Sequence, residues 1–93
     1  MSVQEIRTRV LPLLLKYRVG RASLFGSVTR NEETPGSDID LLVEMPADAS
    51  LLDLAGLKLD LEEVLGKEVD VVTYRSLHPL LRDRILAEQQ PIL

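Results

Sequence analysis

Read from the N-terminus, apolar residues first recur at helical spacing. Val3, Ile6, Val10, Leu13, Leu14 and Tyr17 follow Ser2 and Glu5, which stand in the S-x-x-E arrangement of a capping box. Pro12 falls inside that stripe and brings no backbone donor, so the pattern predicts a kink or a restarted helix near Val10 to Pro12, closed by Gly20. The period then shortens. Residues 21–25, "RASLF", read as a strand that ends at Gly26 and Ser27, and residues 28–37, "VTRNEETPGS", hold at most one helical turn before a loop marked by Pro35 and Gly36. "DIDLLVE", residues 38–44, is the clearest strand of the chain, and "MPADAS" is a loop. Ser50 with Asp53 opens a second capped helix whose inward stripe is Leu54, Leu57, Leu61, Val64 and Leu65, with Gly66 placed as a left-handed cap. "EVDVVT" is a third strand. Ser76 begins a last helix with Leu77, Leu80, Leu81, Ile85 and Leu86 on its apolar side, stopped by Pro91.

The order is helix, strand, short turn, strand, helix, strand, helix. That alternation implies an α/β fold: a small mixed sheet of about three strands flanked by helices. Three strands are too few for a Rossmann domain or a TIM barrel. Ninety-three residues make a single domain, 1–93, with one small core. Because 45% of the chain is hydrophobic but only 3% aromatic, Leu, Val and Ile must fill that core.

Charge narrows the function classes. A formal net charge of −4 argues against the basic surface that drives nonspecific DNA or RNA binding, so no direct nucleic-acid binding is expected. Arg7, Arg9, Lys16, Arg18 and Arg21 lie close together in sequence and read as a solvated helix face. The absence of cysteine excludes disulfides, thiolate zinc sites and cysteine nucleophiles. "MSVQEIRTRV" lacks the apolar segment of a signal peptide and no run reaches transmembrane length, which predicts a cytoplasmic protein without a membrane partner.

Two aspartates interrupt the clearest strand. Alternate strand side chains share a face, so Asp38 and Asp40 point one way while Ile39, Leu41 and Val43 point into the opposite layer. Asp70, between Val69 and Val71, does the same in the third strand. If those strands are neighbours with their Asp faces aligned, three carboxylates converge and repel unless cations lie between them. Hard divalent ions such as Mg²⁺ prefer oxygen ligands, and two of them about 4 Å apart can hold both the attacking and the leaving oxygen of a phosphoryl displacement. Asp38 is equally well placed as an ordinary strand-opening residue; Asp40, between Ile39 and Leu41, belongs to an edge strand or to a site. An EF-hand does not fit, because Val43 and Ala49 stand where its glycine and glutamate would be. His78, beside Pro79, reads as a cap or a surface residue without a catalytic part.

Gly26-Ser27 follows a strand. Glycine lets the backbone approach a ligand, and a serine hydroxyl there can donate to a phosphate oxygen. The pair matches neither a P-loop nor a G-x-S-x-G elbow. Together, however, the Gly-Ser pair, ten residues, D-x-D and a later strand Asp resemble the nucleotidyltransferase superfamily of DNA polymerase β. The closer resemblance is to its minimal members, the MNT proteins that pair with HEPN proteins in prokaryotic toxin–antitoxin modules. It runs over nearly the whole chain, through "LFGSVTRNEETPGSDIDLLVE" to "GKEVDVVTYRSLHPLLRDRILAE".

The resemblance implies that Gly26 and Ser27 hold the triphosphate of ATP, that Asp38 and Asp40 bind two Mg²⁺ ions, and that Asp70 completes the metal site and helps deprotonate or orient an acceptor hydroxyl. Arg30 would support the loop or the phosphates, or form a surface ion pair. AMP would pass to a tyrosine of a HEPN RNase toxin, release pyrophosphate and silence the toxin, in a hetero-oligomer with it. Family members often read G-S-x-A-R-G-E; here Thr29 replaces the alanine and Asn31 the second glycine, a residue that tolerates the left-handed conformation. Other readings are an antitoxin that neutralises its HEPN partner by complex formation alone, and a small-molecule transferase, for which the chain offers no second domain to shape an acceptor pocket. For docking, Leu77, Leu81 and Ile85 read as core, whereas Ile92 and Leu93 read as an exposed contact; Tyr17 and Tyr74 read as packing residues.

Overall fold

A computed structural model describes residues 1–30, 36 and 38–93 of the chain. Helix α1 (Val3–Lys16) leads into strand β1 (Arg21–Phe25), a 3-10 turn at Gly26–Arg30, strand β2 (Ile39–Glu44), helix α2 (Leu51–Leu65), strand β3 (Val69–Thr73), a 3-10 turn at Tyr74–Ser76, helix α3 (Pro79–Glu88) and a two-residue strand β4 (Gln90–Pro91). Asn31, Glu32 and the loop read around Pro35 lie outside the described residues.

Both long helices start as their caps predict. The Ser2 hydroxyl accepts from the Glu5 N–H at 3.1 Å, and the Ser50 hydroxyl accepts from the Asp53 N–H at 3.2 Å, with each acidic side chain reaching back to the cap N–H. Such caps contribute about 1 kcal/mol each. His78 caps α3, its Nδ1 accepting from the Leu80 N–H at 3.1 Å.

Helix α1 differs from expectation at both marked positions. It runs unbroken through Pro12, which is exposed, so the carbonyl left without an N–H partner there can be served by water. It closes before Gly20, with Arg18 left-handed (φ 58°). The Arg18 N–H donates to Leu15 O and the Val19 N–H to Leu14 O, a Schellman closure that seats buried Val19 near buried Leu14. A well-packed hydrophobic closure here outweighs the cost of a left-handed arginine.

The sheet has four strands in the order β3-β2-β1-β4 rather than three. Strands β1 and β2 are antiparallel, β2 and β3 are parallel with α2 as the crossover, and β4 pairs antiparallel with β1. The fourth strand arises because Pro91, read as a stop, sits on an edge, where a missing N–H costs no ladder bond. Ile92 follows it into the core at 2% exposure, so it is not the exposed contact expected; its carbonyl accepts from Arg7 Nε at 3.1 Å.

One face of the sheet (Ala22, Leu24, Ile39, Leu41, Val43, Val69) packs with Ile6, Val10 and Leu14 of α1 and Leu57, Leu61 and Leu65 of α2. Each fully buried leucine here contributes about 1.5–3 kcal/mol. Val64, placed on the inward stripe by spacing, is exposed. The last helix departs further: none of its residues is buried, Leu80 is 86% and Leu81 49% exposed, and Ile85 is half-buried; Leu77, just before it, is buried as read. Tyr17 is tied by its hydroxyl to Asp60 Oδ2 at 2.7 Å, and Lys16, Arg18 and Arg21 of the basic group pair with Asp60, Asp48 and Glu44. Among the described residues no helix is long and apolar enough to cross a membrane.

A polar clamp sets the start of β3. Glu62 Oε2 accepts from the Val69 N–H at 3.0 Å and from Lys58 Nζ at 3.1 Å, while Lys58 also donates to Val69 O at 2.9 Å. The Val69 N–H and the Lys58 side chain hold the Glu62 carboxyl below its ordinary range. A carboxyl with a lowered folded-state pKa stabilises the fold above its unfolded pKa, and that stabilisation is lost as pH falls through the folded value. Glu62→Gln is therefore expected to lower the melting temperature at neutral pH, with the difference from the parent shrinking below the carboxylate range, as read by thermal unfolding across pH.

Candidate active site

The face of the sheet turned away from α1 and α2 carries Ser23 and Phe25 from β1, Asp40 and Leu42 from β2, and Asp70 and Val72 from β3. In the register, Asp40 stands opposite Asp70 on one side and Phe25 on the other. The structure thus brings together two of the three aspartates by direct pairing of neighbouring strands. Asp38 is exposed immediately before β2, two positions from Asp40 and on its side of the strand.

Asp40 is the electrostatic centre of this row. Partial burial raises its pKa most, and the charges of Asp70 and then Asp38 raise it further, while Arg30 lowers it. Three carboxylates that repel in this way form an all-oxygen donor set suited to a hard divalent cation. As they stand, no three His, Cys, Asp or Glu side chains among the described residues are close enough to enclose an ion. The fit of Mg²⁺ therefore rests on the register and on the mutual repulsion, not on a closed cage.

The Gly-Ser turn meets the same row. Gly26 has φ +78°, and a Cβ built there would collide with the Asp40 carboxylate. Glycine is required twice over: for the left-handed backbone and for the space that Asp40 occupies. Thr29, the departure from the family's alanine, donates through Oγ1 to Gly26 O at 2.7 Å and so closes the turn on itself. Ser27 is half-buried beside it. Arg30 Nη1 donates to Glu88 Oε2 at 3.0 Å, so the ion-pair alternative for Arg30 is realised, though with a partner the motif does not contain. Sequence reasoning missed Glu88 altogether, and no local signal marks it, since 58 residues separate it from Arg30.

A cavity of about 470 Å³ opens near the other end of the strands, beside Arg21, Glu44, Met45, Pro46, Tyr74 and Arg75. None of the three aspartates lines it, so size alone does not locate the chemistry.

The D-x-D strand is paired on both sides and lies beside the Gly-Ser turn, on a βαβ unit extended by antiparallel strands, the arrangement that the resemblance in sequence implies. The chain belongs to the nucleotidyltransferase domain family, whose model matches residues 3–92. It is 59% identical over 93 residues, the full length of both chains, to a Methanocaldococcus jannaschii protein that is named, provisionally, a protein adenylyltransferase. A solved structure described provisionally as a minimal nucleotidyltransferase matches with a TM-score of 0.85 and 42% identity, covering 98% of this chain and 96% of that one. The fold is also that of a chain in the complex of a tri-AMPylated Shewanella oneidensis HEPN toxin with an MNT antitoxin, with a TM-score of 0.75 and 22% identity over 97% of this chain and 71% of that one.

Proposed function

We propose that this chain is a Mg²⁺-dependent protein adenylyltransferase of a toxin–antitoxin module, which transfers AMP from ATP to a tyrosine of a HEPN RNase partner and thereby neutralises it. The pairing of Asp40 with Asp70, with Gly26 pressed against Asp40, carries the reading. A partner that merely binds has no need of like charges held side by side.

In this reading Gly26 and Ser27 hold the triphosphate, Arg30 supports it, and Asp38, Asp40 and Asp70 hold the cations. Bound Mg²⁺ would neutralise the carboxylates and the developing charge on the phosphates. Asp70 orients the acceptor hydroxyl and takes up its proton. The tyrosine oxygen then bonds to the α-phosphorus as the bond to pyrophosphate breaks, and positioning supplies most of the rate, as is usual for such transfers. The whole domain, 1–93, acts as one unit in the cytoplasm, in a hetero-oligomer that brings the acceptor.

The test incubates the chain with ATP, Mg²⁺ and the protein encoded by the neighbouring gene and follows that protein by mass spectrometry. A gain of one or more AMP units on a partner tyrosine, lost in Asp38→Ala/Asp40→Ala, is expected. Neutralisation that persists in the double variant, with no mass gain in the parent, would replace this function by stoichiometric binding.

A further inference from the structure

No motif above gives Glu88 a role, yet it touches Arg30 of the Gly26–Arg30 turn. Its two carboxylate oxygens are engaged by two guanidiniums: Arg30 Nη1 at 3.0 Å on Oε2, and Arg84 Nε, one turn back on its own helix, at 3.4 Å on Oε1. The Arg30 and Glu88 side chains are 38% and 24% exposed, so the pair is partly shielded from water. Arg30 and Arg84 thus each take one of its two oxygens. A carboxylate held in this way presents a directed acceptor rather than a mobile charge.

The backbone around Glu88 is anchored to the strand that delivers the Gly-Ser turn. Gln89 Oε1 accepts from the Tyr74 hydroxyl at 3.2 Å, and that hydroxyl also lies 3.1 Å from Oγ of Ser23, a buried residue of β1. Gln90 and Pro91 pair with Leu24 and Ser23 of β1, and buried Ile92 pins the strand beyond them. Gln90 Nε2 reaches Thr29 O at 3.5 Å, inside the turn itself. The connections close a ring: β1 leads to Gly26–Arg30, Arg30 to Glu88, Glu88 through β4 back to β1. Helix α3 has no buried residue, so core packing does not explain where its C-terminal end sits; these polar ties and β4 do.

We propose that Glu88 is a positioning residue for the nucleotide site, holding the Arg30 guanidinium over the Gly26–Arg30 turn so that it meets the ATP phosphates without a prior search. This rests on the reading of Arg30 as a phosphate-supporting residue. The arrangement supplies the outer layer that a phosphate-contacting arginine requires: its orientation is set before the ligand arrives, so less side-chain freedom is lost on binding.

The experiment measures Mg²⁺-ATP affinity by calorimetry on the full chain, without an acceptor, for the parent, Glu88→Gln, Arg30→Gln, the double variant and the charge swap Arg30→Glu/Glu88→Arg, with melting temperatures alongside. Glu88→Gln is expected to weaken ATP binding about tenfold, and to have little further effect once Arg30 is glutamine. The swap is expected to recover melting temperature only in part, because an arginine at position 88 would face Arg84, and not to recover ATP affinity, because it puts a negative charge at the turn. Unchanged or tighter ATP binding in Glu88→Gln overturns the proposal, as does recovery of affinity in the swap, which would make the pair a structural brace only. A parent chain that binds no ATP overturns the nucleotide reading itself and this inference with it.

Discussion

Replacing Asp40 by Asn is expected to make this protein more stable and catalytically inert. The Asp40 carboxyl is half-buried and faces Asp70 and Asp38, and both influences raise its pKa. A carboxyl with a raised folded-state pKa makes the folded state hold its proton more tightly than the unfolded chain does. Stability then falls as pH rises through the interval between the unfolded and the folded value, and the penalty is complete above it. Asparagine carries no such penalty. In the presence of a chelator at neutral pH the variant should therefore melt higher than the parent. The difference should vanish below the carboxylate range. Added Mg²⁺ should raise the melting temperature of the parent and not that of Asp40→Asn. AMP transfer should drop by about 10³-fold or more, because Asp40 would hold the cation that offsets transition-state charge, and that compensation contributes several kcal/mol. A variant less stable than the parent under chelation would show that Asp40 serves the fold.

Gly26→Ala is expected to produce the opposite combination, a loss of stability together with a loss of activity. The left-handed backbone at φ +78° costs a non-glycine residue about 1–2 kcal/mol. The new methyl group would also displace the Asp40 carboxylate, which cannot withdraw freely because Asp70 and Phe25 flank it in the register. Gly66→Ala supplies the comparison. Gly66 has a similar φ of +66°, but nothing lies within 4 Å of a Cβ built there, so only the backbone cost applies and AMP transfer should be retained. Equal melting temperatures for the two alanine variants would mean that the approach of Gly26 to Asp40 carries no energy.

Much of this architecture was legible before any coordinates. The helix starts at Ser2 and Ser50, the left-handed cap at Gly66 and the facing of Asp40 and Asp70 away from their apolar strand neighbours all follow from rules that act over a few residues. Where two local rules competed, the reading went wrong. Pro12 and Gly20 are the strongest breakers in the first segment, yet the chain passes through one and turns before the other, because burial of Leu14 and Val19 decides where α1 ends.

That Asp38 and Asp40 read to one face of their strand follows from the chain alone, because spacing within a strand dictates which side chains share a face; the family was legible only through the resemblance of the Gly-Ser, D-x-D and later-Asp pattern. That Asp40 stands beside Asp70, and that Asp40 fills the space a side chain at position 26 would need, depends on strand register, which is settled by pairing between segments distant in sequence. The same holds for β4, for the burial of Ile92 and exposure of Val64 and Leu81, and for the contact between Arg30 and Glu88. Periodicity shows that a residue is apolar or charged, but only the packed neighbours determine what it meets.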